Sequence, residues 1–468
     1  MRTKASIALA AIALAVPLAA QSSLPPGIAP YVTVDAPVIV LAHVRIVDGT
    51  GAPVRENQTI VLRGGRIAAA GAAASVAVPS GARVIDLSGH TVLPGLVGLH
   101  EHTYFGGVRR MTQMRKGPLL YLAHGVTTAM TAGSQFPYEE LNMKRAVDAG
   151  VMPGPRFEIS GPYLAGGPAR PSMSRIVTSP EDVRRVIAYW TTEGATWFKF
   201  QGSVTREVLA AGIDEAHARG ARVTGHLCSV TFSEAAAAGI DALQHGFITN
   251  SDYVDGKTPD VCPPENMRAQ ADVDVASPAV QANIRALAAT KTAVVSTLAV
   301  YETFVPGRAR LDPAGLAFLD PDVRTEVEAN HKALAESGLV VPPRLLKKMM
   351  QWERDFVAAG GLLGAGSDPW GTGLLPGLGN LRNVELLVEA GFTPEQAIAI
   401  CTLNGARILG HDGRTGSIAP GKAADLIVIR GNPARTPADI YNVVTVFKDG
   451  VGYDSAALKR AAAATVGK

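Results

Sequence analysis

Between residues 93 and 411 the chain alternates short apolar runs with longer helical stretches, and no other feature restricts its folding as much. Repeats of this kind build parallel strands joined by crossover helices. The first run, Val92 through Leu99, leads into His100-Glu101-His102. The others end at Val126-Thr127-Thr128, Phe157-Glu158-Ile159, Trp197-Phe198-Lys199-Phe200, Val223-Thr224-Gly225-His226, Ala242-Leu243-Gln244-His245, Val294-Val295-Ser296-Thr297 and Leu362 through Asp368. Eight such units predict an α/β fold, a (β/α)8 TIM-type barrel over residues 93–411. Helix starts are written in between: Thr393-Pro394-Glu395-Gln396 has a capping threonine, a proline in the first turn and a glutamine three residues after the cap.

Both flanks read as strand. Val38 to Val47 is β-rich, and Thr59 to Arg63 and Arg66 to Ala68 flank Gly64-Gly65, where glycine supplies the positive φ of a two-residue hairpin. Ala424 to Ile429 and Val443 to Phe447 match them at the far end. Residues 21–92 and 412–468 are therefore expected to form one small β-sandwich domain. Met1-Arg2-Thr3-Lys4 followed by the apolar run to Ala20 has the pattern of a secretory signal peptide, residues 1–20, and implies an exported, periplasmic or secreted protein. With Arg2 and Lys4 removed, the formal charge of +3 falls close to neutral, which argues against nucleic acid as a partner. No membrane partner is expected once the signal is gone. Three cysteines, Cys228, Cys262 and Cys401, are too few for a disulfide framework and leave at least one thiol free.

Barrel chemistry sits at the C-terminal ends of the strands. Alternation along an extended chain sends His100 and His102 to one face, where two imidazoles can share one metal ion, and Glu101 to the other. Glu101 is expected to serve structure or to orient a ligand histidine. Lys199, His226, His245 and Asp368 also fall at or just beyond strand ends. A lone strand-end histidine is more often structural than a ligand, and Asp368 could equally cap a helix opened by Pro369. The set, in strand order, carries more than its members. Lys199 lies among Trp197, Phe198 and Phe200 and points toward the barrel axis, where burial favours the neutral amine.

Pro94-Gly95-Leu96 leading to His100-Glu101-His102, then Lys199, His226, Leu243-Gln244-His245-Gly246, Gly366-Ser367-Asp368 and Gly421-Lys422-Ala423-Ala424-Asp425-Leu426 together resemble the metal-dependent amidohydrolase superfamily. The resemblance is to its Xaa-Pro dipeptidase and carboxypeptidase-like (imidazolonepropionase-related) branch. It implies two divalent ions, with zinc the natural fit to imidazole and carboxylate ligands. His100, His102 and Asp368 would hold one ion, His226 and His245 the other, and a carboxylated Lys199 would bridge them. Asp368 would also be catalytic, taking a proton from the attacking water and passing it to the leaving amine.

The reaction expected is hydrolysis of an amide in a small-molecule or dipeptide-like substrate, peptide-like or N-acyl amino acid. A lactone, carbamate or xenobiotic amide is the alternative, and a non-catalytic barrel acting as a binding or scaffold protein is the reading of another class. A homo-oligomer is consistent with the resemblance. Arg109, Arg110, Arg115 and Lys116 are candidates to receive a substrate carboxylate, with solvated surface charge the plainer account. Residues 250–277 are long enough to be a lid, and Tyr163, Tyr253 and Trp370 are candidate pocket residues.

Overall fold

The computed structural model describes residues 24–106, 111–113, 116–167, 174–308, 313–337, 341–369 and 373–464. The signal-like residues 1–20, Arg109, Arg110, Arg115 and Trp370 lie outside the described residues. Within them, no helix is long and apolar enough to cross a membrane.

The central strands are β1 Leu96–Glu101, β2 Val126–Thr131, β3 Arg156–Glu158, β4 Trp197–Phe200, β5 Arg222–Gly225, β6 Ala242–Gln244, β7 Ala293–Ser296 and β8 Leu363–Ala365. Nearly all of their residues are buried, as expected of parallel strands covered on both faces. Neighbours in sequence pair in parallel, but the pairing breaks into two sheets: β3–β2–β1, and a seven-stranded sheet that carries β4 through β8.

The structure therefore shows a TIM-barrel-like α/β array rather than the expected closed barrel. Isolated contacts cross the two seams. Between β3 and β4, Gly161 N–H donates to Trp197 O and Thr196 N–H to Ile159 O, both at 2.9 Å. Pro162 follows and has no N–H to extend that ladder. Between β8 and β1, Asp368 N–H donates to His100 O at 2.8 Å. Pairing stops there because Asp368 leaves extended geometry, with φ +48°.

Helices cover the strands. Pro180–Glu193 is capped by the Ser179 hydroxyl, which accepts from Asp182 N–H, and it ends at Gly194 in the left-handed region, φ 113°. Thr231 and Glu234 make a reciprocal capping box at the start of Phe232–Ala237, and Thr393 and Gln396 make another at Pro394–Ala399. Trp197, Trp352, Phe157, Phe198, Phe200 and Phe356 are completely or almost completely buried, each contributing on the order of 2 kcal/mol by area.

Strands from both ends of the chain share one nine-stranded sheet. Leu426–Arg430 lies antiparallel to His90–Pro94, which runs parallel to Val38–Ile46, and Arg55–Arg63 turns through Gly64-Gly65 into Arg66–Ala72. The chain passes from this sheet into β1 at Gly95. A Cβ at Gly95 would lie 2.1 Å from the Thr127 hydroxyl, so only glycine fits against β2 there.

Residues 250–277 are fastened down. Cys262 forms a disulfide with Cys228, two residues after His226, while Cys401 is free and buried. Lys257 donates to Ser229 O at 2.6 Å, and the Arg206 guanidinium grips Asp260. The segment is a strap across the loop that carries His226.

Candidate active site

β1 carries His100 as its next-to-last residue and His102 directly follows its end; β8 leads into Asp368; β4 carries Lys199, which is buried; and His226 and His245 directly follow β5 and β6. His102 Nε2 lies 3.0 Å and His100 Nε2 3.5 Å from Asp368 Oδ1. Lys199 Nζ is 2.8 Å from His100 Nε2. His245 joins with its ring centroid 4.6 Å from that of His100, and His226 stacks edge-on to His245 at 4.5 Å. All six residues thus fall into one cluster. Among the described residues, His100, His245 and Asp368 bring possible ligand atoms within 4.8 Å of one another. That trio crosses the division of ligands implied by the resemblance, with His102 and His226 beside it.

Hydrogen bonds orient the rings. The Gln244 amide donates to the Thr224 hydroxyl at 2.7 Å, so its carbonyl faces His100 and accepts from Nδ1–H at 2.7 Å. That leaves the His100 Nε2 lone pair toward Lys199. His245 Nδ1 meets the Thr297 hydroxyl at 2.8 Å. Two buried ring nitrogens, His102 Nδ1 and His245 Nε2, have no partner among the described residues. Buried polar atoms are rarely left so, and an unpartnered neutral imidazole nitrogen is a fit donor for a divalent cation.

The electrostatics favour ligand protonation states. Burial holds His100 and His245 well below the usual imidazole range and brings His226 down to about 4, with Lys199 adding to the effect. Burial raises the Asp368 carboxyl, yet the surrounding His100, His102 and His245 pull it well below its ordinary value. Burial lowers Lys199 to about 8 against the opposing pull of Asp368. Neutral imidazoles and an ionised carboxylate are the forms metal coordination requires, and a lysine lowered to about 8 keeps a fraction of reactive neutral amine near pH 7. Asp368 and His245 hold left-handed backbones, φ 48° and 70°, a conformation that costs non-glycine residues energy and gathers at functional sites.

Tyr163 belongs to the site: its ring lies 5.4 Å from Lys199 Nζ, and its hydroxyl meets that of Tyr104, which stacks on His102 at 4.7 Å. Tyr253 is instead packing, accepting from Trp352 Nε1–H and donating to Asn283. Lys116 is paired with Asp320 at 3.2 Å. Sequence reasoning missed the roles of Gln244, Thr297, Tyr104 and Tyr301. A glutamine within an apolar strand was a usable signal for the first. Tyr301, edge-on to His245 at 5.4 Å, comes from the helix Leu298–Glu302 and had none.

The amidohydrolase family model matches residues 91–451. The chain belongs to the amidohydrolase family. An imidazolonepropionase of Porphyromonas gingivalis is 26% identical over 79% of this chain and 82% of its own. An enamidase of Eubacterium barkeri is 26% identical over 81% and 82%. A solved structure described as a putative prolidase from Bifidobacterium longum superposes with a TM-score of 0.67 at 25% identity, covering 91% of this chain and 98% of that one. Family and relatives make the chain a hydrolase acting on C–N bonds, those of amides.

Proposed function

We propose that this amidohydrolase is an exported, binuclear metal-dependent enzyme that opens the amide bond of a peptide-like or N-acyl amino acid substrate. The observation that carries the reading is the convergence of His100, His102, Lys199, His226, His245 and Asp368, with two buried imidazole nitrogens left without a partner among the described residues. The strands around them are taken as a (β/α)8 barrel interrupted at two seams, and the sheet shared by both chain ends as the small β-domain.

His100, His102 and Asp368 would hold one ion and His226 and His245 the other, zinc being the metal best suited to these donors. Such ions supply a water acidified toward neutrality and a polarised scissile carbonyl. Lys199, buried beside His100, would as its neutral amine add its nitrogen lone pair to the carbon of carbon dioxide, one C=O π pair moving onto oxygen and one N–H proton passing to water, to leave a carbamate anion whose two oxygens could serve the ions. Asp368 accepts the proton of the attacking water at a carboxylate oxygen and returns it to the departing amine nitrogen. Gln244 and Thr297 keep the rings of His100 and His245 turned to the site.

Export is supported by the Met1–Ala20 pattern and by the Cys228–Cys262 disulfide, a bond that persists in oxidising compartments. The structural likeness to a prolidase supports the peptide-like substrate. A second reading, a non-peptide amide, is favoured by the sequence relatives, neither of which is named for a peptide substrate.

The test is metal analysis of the purified chain followed by a screen of dipeptides, N-acyl amino acids, lactones and carbamates. Expected are about two divalent ions per chain and turnover abolished by a chelator. A chain with no bound ion, or with turnover indifferent to chelation, would overturn the reading.

A further inference from the structure

Glu101 stands between two candidate ligand histidines, yet its carboxylate faces away from them. The alternation of β1 turns it outward, where it is completely buried against β8 and the helix Leu378–Glu389. Room for it was cleared in advance: a Cβ at Gly98 would lie 2.3 Å from Glu101 Oε1. Ser367 N–H donates to Oε1 at 3.1 Å, the Ser367 hydroxyl donates to Oε2, and Asn380 Nδ2–H donates to Oε1 at 2.6 Å. None of these donors belongs to a histidine.

Ser367 immediately precedes Asp368, whose backbone adopts the left-handed conformation with φ 48°. The backbone around it is laced to β1 on both sides. Asp368 N–H donates to His100 O at 2.8 Å, and a Cβ at Gly366 would lie 2.3 Å from His100 N. A strained residue next to solvent would relax toward extended geometry, swinging its side chain away. Here the preceding residue is held at its amide and its hydroxyl by one carboxylate.

We infer that Glu101 is a positioning residue: by gripping Ser367 at two points it locks Asp368 in the left-handed turn that presents its carboxylate to His102 and His100. The inference rests on the role given to Asp368 in the proposed function. It assigns the residue between the two histidines to the proton-transfer group 267 positions downstream rather than to either histidine (Glu101 to Asp368).

The test uses cobalt-loaded full-length protein, whose visible absorption reports ligand geometry independently of turnover. Glu101→Ala is expected to lower kcat about 100-fold with KM within about twofold, because a displacement near 1 Å of a reacting group costs that much. Its cobalt spectrum shifts as well. Glu101→Gln keeps an acceptor for Ser367 N–H and Asn380, and is expected to restore kcat to within about tenfold of wild type. Ser367→Ala, which removes only the hydroxyl contact and perturbs folding least, is expected to lose about fivefold in kcat with a smaller spectral shift.

A Glu101→Ala protein with wild-type spectrum and kcat and only a lower Tm would show a purely structural carboxylate and overturn the inference. If Glu101→Ala does not fold, a Ser367→Ala protein unchanged in both spectrum and kcat overturns it equally. A wild-type chain that takes up no cobalt overturns the metal-hydrolase reading and this inference with it, an outcome distinct from metal-loaded variants that behave as wild type.

Discussion

Glu101 and Glu353 are both completely shielded from solvent, and the regions around them treat a buried carboxyl in opposite ways. Glu101 lies at the seam of β1 and β8 with three donors aimed at it; burial raises it to about 7 while Ser367 and Asn380 pull it down. Glu353 lies on the helix Pro343–Ala358 behind the turn that carries His245. Neither of its oxygens has a hydrogen-bond partner among the described residues. Burial lifts it to about 8 against the pull of the Ser296 hydroxyl, which falls short of hydrogen-bond geometry. One carboxyl organises a site, and the other is carried by the fold at a cost.

The same contrast extends outward. The Glu101 side is held by backbone contact through glycines, the Glu353 side by long-range fastenings of the strap 250–277. Trp352 donates to Tyr253 at 2.9 Å, and Lys348 to the carbonyls of Ala271 and Val273 at 2.8 and 2.5 Å. The Cys228–Cys262 disulfide then ties that strap to the His226 loop. If this division is right, substitutions on the first side damage turnover and those on the second damage stability.

The sharpest challenge to that division is Asp368→Asn. Turnover is expected to fall about 10²- to 10⁴-fold with metal content and Tm close to wild type, since a general base contributes that much. Steady-state kinetics with parallel metal analysis decides it, and near wild-type turnover refutes the proton-transfer role.

On the other side, Cys262→Ser opens a loop with a sequence separation of 34 residues. The chain-entropy model gives a loss of about 3–4 kcal/mol, read by urea denaturation. An unchanged midpoint would remove the disulfide from the account of how the strap is held.

Glu353→Gln tests this second carboxyl itself. The folded carboxyl keeps its proton up to about 8, while the unfolded one loses it near the ordinary glutamate value of 4.5, so wild-type stability falls as pH rises through that window. The variant is expected to be more stable than wild type by about 1–3 kcal/mol at pH 8 and to approach it below pH 4.5. A wild type whose stability is flat from pH 5 to 8 would show that Glu353 has found a partner.

The smallest effect is expected where the two sides meet. Thr297→Val frees His245 Nδ1 from its oriented contact and should weaken metal binding about tenfold without changing the fold. Competitive chelator titration measures it, and unaltered affinity would mean that packing alone orients the ring.

Much of this was legible in the chain. His100, His102, Lys199, His226, His245 and Asp368 could be picked out because strand alternation and strand ends are local properties, decided within a few residues of each side chain. The hairpin at Gly64-Gly65 and the capping box at Thr393 follow from single-residue backbone and hydrogen-bond preferences, and both are present. The expectation of a closed barrel went too far. The seams at Pro162 and Asp368 depend on where each ladder runs out of extended N–H groups, a property of two strands together.

What the sequence alone determined, then, is the inventory and direction of the chemical groups: which residues reach strand ends and which face they take. Only the tertiary structure decided their pairings. Glu101 finds Ser367 and Asn380 across separations of 266 and 279 residues, Cys228 finds Cys262 rather than Cys401, and Tyr301 reaches His245 from a helix. Loop closure over such distances is nearly indifferent to sequence, so packing of the assembled strands, and the space left by Gly98 and Gly366, selects the partners.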